Sequence, residues 1–376
     1  MRLVADEGIP LLDENFAQWV EVKRLPGRDI ARADLLEADA LLVRSITAVN
    51  AELLTDTKVR FVGSATSGVD HIDRGFLRES GIEFAHAPGC NADAVADYVC
   101  SALAALDVDL GHAAGLRVGV VGLGQVGSRV ARRLHNLGFK VKAYDPLLKS
   151  PQSSSLTNWR EVLCSDILSL HVPLTRDGDY PTWHMLDARQ LAALPQQLVL
   201  INAARGAVID NDALSDILPQ RPAWQTVLDV WEGEPAPDQA LLQQVNVATP
   251  HIAGHSVEAK IRGSSMVYQT FLQCFFGGGE TANKHTAEEA GVAGAAPMLT
   301  LTAHSTLNDI VLDAYDVRHD AQRLTALAGN ANISEEFERL RKQYRVRHEF
   351  SAYRLNGGEN LNSNLIKQLN YLNFNV

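Results

Sequence analysis

The chain has 376 residues and a formal net charge of −11, and 46% of its residues are hydrophobic while 21% are charged. A chain of this length is expected to form about two or three domains, and the composition is that of an ordinary soluble protein with enough apolar residues for a core. The acidic balance argues against nucleic-acid binding, so an anionic substrate would need a locally basic pocket.

The four cysteines show neither the paired spacing of a metal site nor a disulfide framework, so we expect reduced thiols and no bound metal. Acidic residues come early, at Asp6, Glu7, Asp13 and Glu14, which argues against a signal peptide. No uninterrupted apolar stretch is long enough to span a bilayer. The sequence therefore predicts a cytoplasmic protein with no membrane segment.

Short apolar runs that alternate with helical stretches predict a small parallel α/β domain at the start of the chain. Strands are expected at 2–6, 40–44 and 59–63, and a helix at 48–55. Ligands of open parallel sheets bind at the carboxyl ends of the strands. The residues expected at these strand ends have hydrogen-bond donors suited to phosphate or carboxylate. They are Arg44, Ser45, Thr66, Ser67 and Gly68. The alternative is that they are ordinary turn residues, since Ser, Thr and Gly are common in loops.

Residues 91–110 have the pattern of a helix, with Asn91 as a plausible N-cap and Asp93 in the first turn. An apolar stripe runs along it from Val95 to Leu106. Such a stripe packs either in the core or against a partner subunit, and the sequence leaves both open.

The stretch 117–145 carries the strongest signal. An apolar strand at 118–121 leads into Gly122-Leu-Gly124-Gln-Val-Gly127 and then into a helical pattern. A second strand ends at Asp145, 18 positions past the third glycine. This strand–turn–helix context makes a G-x-G-x-x-G sequence typical of dinucleotide binding, the alternative being a structural glycine turn in another α/β protein.

Each residue type in this motif has a physical reason. Gly122 permits the tight turn, Gly124 leaves room for a pyrophosphate, and Gly127 lets the helix pack closely on the strand. The helix N-terminus at Gln125 and Val126 offers unpaired N–H groups to the phosphates. Asp145 would accept the ribose hydroxyls and repel a 2′-phosphate, so we expect NAD rather than NADP as the cofactor.

Further buried strands are expected at 165–171, 197–202, 224–229 and 246–251, with polar residues just past each one. Arg205 offers a planar fork for a carboxylate, and His251 is suited to exchange a proton near neutral pH. Glu234 would hold one imidazole nitrogen and favour the protonated form. The alternative is that all three are ordinary solvated residues at strand ends.

Taken together, these features resemble the D-2-hydroxyacid dehydrogenase family. The resemblance rests on Gly122–Gly127, Asp145, 171–175, 202–206, 229–235 and 249–254. It implies an α/β fold in which a Rossmann nucleotide-binding domain, at 94–255, is inserted in a flavodoxin-like substrate or lid domain, at 1–93 and 256–280. It also implies NAD-dependent oxidation of a 2-hydroxy acid.

The resemblance assigns roles to individual residues. His251 would take the proton of the C2 hydroxyl, Glu234 would stabilise the imidazolium, and Arg205 would hold the substrate carboxylate. The positions implied near the cofactor, besides the glycine loop and Asp145, are Thr175, Ala203, Ala204, Arg205, Asp229 and Gly254.

Three stretches resemble one branch of the family that acts on a phosphorylated 2-hydroxy acid: 64–73, 174–184 and the C-terminal extension. In that branch the extension is an α+β dimerisation domain, which implies a homodimer through residues 281–376. His255 stands where the branch has a substrate-contacting tyrosine, and it is a plausible replacement. By itself, the charged run 335–349 would predict an exposed face.

Two other functions stay open at this point. One is a sibling dehydrogenase, of the phosphoglycerate or the glyoxylate/hydroxypyruvate type, whose substrate lacks the same phosphate placement. The other is a non-catalytic NAD(H)-sensing protein on the same fold.

Overall fold

The computed structural model describes residues 1–113, 115–148, 156–277, 296–302, 304–357 and 361–376. The chain divides into two compact units: unit 1 is Met1–Asn91 with His255–Ala296, and unit 2 is Ala92–Gly254 with Pro297–Val376. The expected boundary at 280 and 281 lies outside the described residues. Among those residues no helix is both long enough and apolar enough to cross a membrane.

The elements are numbered in chain order. The strands are β1 Arg2–Asp6, β2 Glu21–Leu25, β3 Ala40–Val43, β4 Phe61–Ser64, β5 Glu83–His86, β6 Arg117–Val121, β7 Lys140–Tyr144, β8 Ile167–Leu170, β9 Leu198–Asn202, β10 Trp224–Leu228, β11 Val247–Ala248, β12 Met298–Thr300 and β13 Arg354–Asn356. The helices are α1 Leu12–Phe16, α2 Arg32–Leu35, α3 Ala51–Leu54, α4 Arg74–Glu79, α5 Ala92–Ala105, α6 Gln125–Asn136, α7 Trp159–Val162, α8 Ala188–Ala193, α9 Asn211–Ile217, α10 Gln239–Gln244, α11 Val257–Phe276, α12 Leu307–Ala314, α13 Val317–Thr325, α14 Ile333–Lys342 and α15 Ser363–Tyr371. Short 3₁₀ turns lie at Gly206–Val208, Leu218–Gln220 and Phe350–Ala352.

Unit 1 is built on a parallel sheet with the strand order β2-β1-β3-β4-β5. This is the flavodoxin-like order that was expected. On one face, Phe271 of α11 packs edge-on against Phe16 and Phe61. Because β3 and β4 are neighbours in the sheet, the residues that follow them, from Arg44 and from Ala65 onward, lie along one edge.

Two strands of unit 1 were not predicted. β2 is an edge strand whose residues are exposed or half-buried, so it lacks the apolar run that identifies a buried strand. β5 lies at the other edge and has only one buried residue, Ala85. Both exist because they pair with a neighbouring strand, and their own sequences carry little signal.

Unit 2 contains a parallel sheet with the order β11-β10-β9-β8-β6-β7. The order reverses at β6, which pairs with β7 on one side and β8 on the other. Open α/β sheets bind ligands in the crevice at such a switch point, beyond the carboxyl ends of the strands. The predicted Rossmann arrangement is therefore confirmed, and it directs the loops after β6, β7, β9, β10 and β11 to this edge.

The C-terminal region is α+β, as expected, with β12 and β13 paired in parallel and α12 to α15 around them. It packs within unit 2. Val95, Tyr98, Val99 and Leu103 of α5 share one apolar cluster with Leu307, Ile310 and Val311 of α12. The apolar stripe on α5 therefore lies in the core of its own subunit.

The charged run 335–349 corrects an expectation. Arg347 is 3% exposed and Glu349 is 1% exposed, so the end of the run is buried where an exposed face was predicted. The reason is that Phe337 and Leu340 of α14 anchor the run to an apolar cluster that includes Trp231. The segment after α14 is then carried into the interior, where backbone carbonyls accept hydrogen bonds from Arg347.

Candidate active site

The glycine loop joins β6 to α6 with the geometry that its sequence predicts. Gly122 has φ +87°, and a Cβ there would lie 2.7 Å from the carbonyl oxygen of His171. A Cβ on Gly127 would lie 1.8 Å from the carbonyl oxygen of Gly122. Around Gly124, by contrast, no described residue other than its two chain neighbours has an atom within 4 Å of an added Cβ. The loop is therefore closely packed at Gly122 and Gly127 and open at Gly124. This opening lies at the N-terminus of α6, which begins with Gln125 and Val126, and a phosphate would approach there.

Asp145 follows β7 directly and is tied to the glycine loop. Its Oδ2 accepts a hydrogen bond from the N–H of Leu123 at 2.9 Å, and its Oδ1 accepts one from the N–H of Leu147 at 3.1 Å. The side chain is half-buried. A carboxylate held in this way is negatively charged and has lone pairs left to accept further hydrogen bonds.

His251 and Glu234 are brought together by the loops after β11 and β10. Nδ1 of His251 lies 2.8 Å from Oε2 of Glu234, and Oε1 of Glu234 accepts a hydrogen bond from the N–H of Trp231 at 2.8 Å. Burial raises the pKa of Glu234, but the charge and hydrogen bond of His251, the Trp231 N–H and the charge of Arg341 outweigh it. The pKa of Glu234 is therefore lowered, and the carboxylate is ionised at neutral pH.

Asp229 fixes the backbone that carries His251. Its carboxylate is 1% exposed and accepts hydrogen bonds from the hydroxyl of Thr249 and from the N–H groups of Ile252 and Ala253, at 2.7, 2.7 and 2.9 Å. Its carbonyl oxygen accepts from the N–H of His251 at 2.7 Å. Burial raises the pKa of Asp229, while His251 and these hydrogen bonds oppose the rise. Asp229 therefore fixes the backbone of the loop at 249–253 directly.

Arg205 shares a pocket of about 300 Å³ with Glu234 and His251. The pocket is also lined by Arg176, Glu232 and Trp231. Nη1 of Arg205 donates to the carbonyl oxygen of Ala204 at 2.7 Å. The structure thus gathers the three predicted catalytic residues in one pocket.

The backbone around Arg205 is held on both sides. The N–H of Ala204 donates to Oδ1 of Asn202 at 3.1 Å, and Nδ2 of Asn202 donates to the carbonyl oxygen of Arg205 at 3.0 Å. A Cβ on Gly206 would lie 1.9 Å from the carbonyl carbon of Trp231, so the two loops touch at this glycine. Ala203 lies between Asn202 and Ala204, directly after β9.

Thr175 closes a loop over residues 175–182. Its N–H donates to the hydroxyl of Thr182 at 2.8 Å, and the N–H of Thr182 donates back to its hydroxyl at 3.2 Å. Next to these two threonines, the guanidinium of Arg176 lies 4.7 Å from the ring centre of Trp183. The ring of Trp183 stacks on that of His184, with the ring centres 3.8 Å apart. Sequence reasoning singled out this stretch but missed Arg176 as a pocket residue.

A second histidine–carboxylate pair lies beside the pocket, which Glu232 lines. Nε2 of His184 lies 2.9 Å from both carboxylate oxygens of Glu232. Glu232 and Glu234 are two residues apart in the chain, so only the structure shows which histidine each one contacts.

In unit 1, Arg44 is held by a buried carboxylate. Its Nε and Nη2 donate to the two oxygens of Asp6, both at 2.9 Å, and Asp6 is fully buried. The guanidinium lies over Gly8, where a Cβ would come within 2.4 Å of it. This fork fixes the orientation of Arg44, which is still about one-third exposed (36%). Lys260 of α11 was not predicted as a ligand, and partial burial together with the charge of Arg44 lowers its pKa.

The other predicted substrate residues of unit 1 follow β3 and β4. Ser45 is exposed. Oγ1 of Thr66 lies 2.8 Å from Oγ of Ser64 and donates to the carbonyl oxygen of Gly68 at 3.1 Å, while Oγ of Ser67 accepts from the N–H of Gly89 at 3.2 Å. Gly254 ends the first segment of unit 2, and His255 begins the second segment of unit 1, just before the N-cap of α11.

Comparison with known proteins gives a consistent result. Residues 104–253 match the family described as D-isomer specific 2-hydroxyacid dehydrogenase, NAD binding domain, and residues 296–370 match a domain of unknown function. Among solved structures, D-lactate dehydrogenase from Aquifex aeolicus, complexed with NAD and lactic acid, has a TM-score of 0.62 and 24% identity over 74% of this chain and 96% of its own. The 3-phosphoglycerate dehydrogenase of Entamoeba histolytica, with NAD bound, has a TM-score of 0.63 and 23% identity over 75% and 97%.

The fold and the site are therefore those of an NAD-dependent D-2-hydroxyacid dehydrogenase. Erythronate-4-phosphate dehydrogenase of Teredinibacter turnerae is 44% identical over 96% of both chains, and that of Cellvibrio japonicus is 41% identical over 94% of both. The chain belongs to the erythronate-4-phosphate dehydrogenase family.

Proposed function

We propose that the protein oxidises 4-phospho-D-erythronate at C2, giving 3-hydroxy-2-oxo-4-phosphobutanoate, in the synthesis of pyridoxal 5′-phosphate. The observation that carries this proposal is the extent of the similarity to erythronate-4-phosphate dehydrogenases. It covers 94–98% of this chain, C-terminal region included. The solved dehydrogenases named above cover about three quarters of it (74% and 75%).

The residues of unit 2 fit NAD. Gly124 leaves an open cradle at the N-terminus of α6, where backbone N–H groups and the helix dipole favour a pyrophosphate. Asp145, whose carboxylate already accepts from the N–H groups of Leu123 and Leu147, is proposed to accept the ribose hydroxyls as well. NAD, when bound, supplies the acceptor for the hydride that leaves C2 of the substrate. We propose that Thr175, Ala203, Ala204, Arg205, Asp229 and Gly254 also lie against the cofactor.

Proton transfer is assigned to His251. Nδ1 of its imidazole contacts Glu234, so Nε2 is the nitrogen left to take the proton of the C2 hydroxyl. The imidazolium that forms is stabilised by the ionised Glu234, which does not need to take the proton itself. Arg205 binds the carboxylate and the developing carbonyl oxygen through its planar fork.

We propose that the 4-phosphate is bound by Arg44, Ser45 and Thr66. The buried Asp6 orients Arg44, and Lys260 adds a second positive charge that partly offsets the acidity of the chain. Backbone groups of Ser67 and Gly68 are proposed to bind the substrate carboxylate, and His255 to replace the tyrosine of related enzymes. We further propose that the protein acts in the cytoplasm as a homodimer formed through its C-terminal region.

The test is the rate of NADH formation from 4-phospho-D-erythronate, compared with 3-phosphoglycerate and glycerate. A parallel sample contains a 2-oxo acid, which reoxidises any tightly held cofactor. Selective turnover of 4-phospho-D-erythronate supports the proposal. Turnover of phosphoglycerate alone would refute the substrate. Absence of any turnover, together with NADH-dependent binding to another protein, would favour a sensor on the same fold.

A further inference from the structure

The backbone next to His251 is held from two opposite sides. The N–H groups of Ile252 and Ala253 donate to the carboxylate of Asp229. The carbonyl oxygens of the same two residues accept hydrogen bonds from Nη1 of Arg347, at 3.4 and 3.0 Å. A carboxylate from the nucleotide-binding sheet and a guanidinium from the C-terminal region thus clamp one dipeptide, directly after the histidine that we assign as the proton acceptor.

Arg347 is built into this position. It is 3% exposed, its Nη2 donates to the carbonyl oxygen of Ala94 in α5, and its guanidinium lies 3.9 Å from the ring centre of Tyr315. The hydroxyl of Tyr315 donates in turn to Oδ2 of the buried Asp320 at 3.0 Å. A buried guanidinium with several acceptors and an aromatic face is a fixed group, because any other rotamer would leave a buried charge unpaired.

The clamp has a reason in the backbone of the catalytic loop. His251 has φ +56°, a left-handed conformation that is strained for a residue with a side chain. Such a conformation persists only where the surrounding structure over-determines it. The carboxylate of Asp229 accepts hydrogen bonds from the N–H groups of Ile252 and Ala253, and Arg347 donates hydrogen bonds to their carbonyl oxygens. The strained His251 therefore lies next to a segment with little conformational freedom.

We propose that the C-terminal region shapes the active site of its own subunit, with Arg347 as a positioning residue that clamps the backbone of Ile252 and Ala253 and thereby orients His251. This inference rests on the role of His251 given above, and it assigns a task to a region that matches a domain of unknown function. The C-terminal region is then required for turnover independently of any part it plays in dimerisation.

The chain offers a matched control in Arg345, two residues away. Arg345 also lies over the ring of Tyr315, at 5.3 Å, and its Nε donates to Asp320 at 3.2 Å. No hydrogen bond joins it to the catalytic loop among the described residues. R345M therefore disturbs the same buried cluster and leaves the clamp in place, whereas R347M and R347K change the clamp itself.

Three readouts are compared in the full-length variants, at a temperature well below the unfolding midpoint of each. They are kcat for the 2-hydroxy acid that the wild type oxidises, deuterium exchange of a peptide spanning residues 249–254, and the Kd of ADP-ribose. ADP-ribose lacks the nicotinamide, so its Kd reports whether the pyrophosphate and ribose part of the nucleotide site, proposed at the glycine loop and Asp145, is intact.

We expect R347M to lower kcat at least tenfold relative to R345M, to speed amide exchange in 249–254, and to leave the Kd of ADP-ribose within twofold. R347K keeps the positive charge but lacks the planar guanidinium, so its kcat and its exchange rate in 249–254 are expected to lie between those of R347M and the wild type. A kcat for R347M within twofold of R345M, or unchanged exchange, would overturn the proposal. If R347M does not fold, R347K is compared with R345M: a lower kcat and faster exchange of 249–254 in R347K support the proposal, and values equal to those of R345M overturn it.

A failure of the proposed substrate is separable from a failure of this inference. Deuterium exchange and ADP-ribose binding need no substrate. An inactive wild type would refute the proposed reaction, and the exchange comparison would still decide whether Arg347 holds the loop.

Discussion

Nδ1 of His251 lies 2.8 Å from Oε2 of Glu234, while His184 contacts Glu232, at 2.9 Å, beside the same pocket. The two pairs have the same chemistry. They differ in setting, because His251 lines the pocket with Arg205, whereas His184 is stacked under Trp183. This difference favours the first pair for the proposed proton transfer.

Replacing His251 is expected to remove general acid–base catalysis. H251A should lower kcat by about 10²–10⁴-fold, the usual contribution of a positioned acid or base. H184A is the matched control, since it removes a histidine that is paired to a carboxylate in the same unit, and its effect should be much smaller. Steady-state kinetics of both variants gives the comparison. Near-normal turnover by H251A would contradict the assignment.

The acid side of the pH profile is expected to depend on Arg341. In the direction of 2-oxo acid reduction, His251 must carry a proton and Glu234 must be ionised. Activity is therefore present above the pKa of Glu234 and lost as the pH falls through it. Arg341 is one of the groups that lower this pKa, so R341M should raise it and shift the loss of activity to higher pH.

The charged and titratable groups that face Glu234 or line its pocket are His251, Arg341, Arg205, Arg176 and Glu232. R339M is the control for Arg341, because Arg339 lies on the same helix and pairs with Glu336 at the surface. Profiles of kcat/KM against pH for both variants provide the measurement. An acid limb that does not move in R341M would show that its charge is not felt at Glu234.

Cofactor choice is expected to follow the charge of Asp145. D145A removes the group that would repel a 2′-phosphate, so the ratio of kcat/KM for NAD to that for NADP should fall by roughly tenfold, which corresponds to about 1.4 kcal/mol. D145N retains an acceptor for the N–H of Leu123 and separates loss of charge from loss of the loop contact. An unchanged ratio in both variants would refute the ribose assignment.

Phosphate binding is expected to fail without Arg44. R44M alone would leave the buried carboxylate of Asp6 without its guanidinium partner, although the N–H of Gly8 would still donate to it, and this loss is expected to lower stability. The double variant D6N/R44M removes both charges and isolates binding from folding. Its KM for 4-phospho-D-erythronate should rise at least about tenfold, equivalent to about 1.4 kcal/mol. Unphosphorylated D-erythronate is the control substrate, and an unchanged KM for the phosphorylated one would favour a sibling dehydrogenase.

Local sequence was sufficient for much of this protein. Gly122, Gly124 and Gly127 lie where the motif predicts, because a tight turn, an open approach and close packing each need a residue without Cβ at a fixed spacing. The buried strands β6, β8, β9 and β10 were predicted, because a strand covered on both faces appears as a continuous apolar run. Arg205, Glu234 and His251 could be singled out because each follows such a strand.

The tertiary structure decided what depends on residues far apart in the chain. The edge strands β2 and β5 have weak patterns of their own and exist through pairing. The pairing of His251 with Glu234 and of His184 with Glu232 is set by how separate loops meet. By itself, the charged run that contains Arg347 predicted an exposed face. Arg347 is buried because acceptors from α5 and from the catalytic loop converge on it, and neither is near it in sequence.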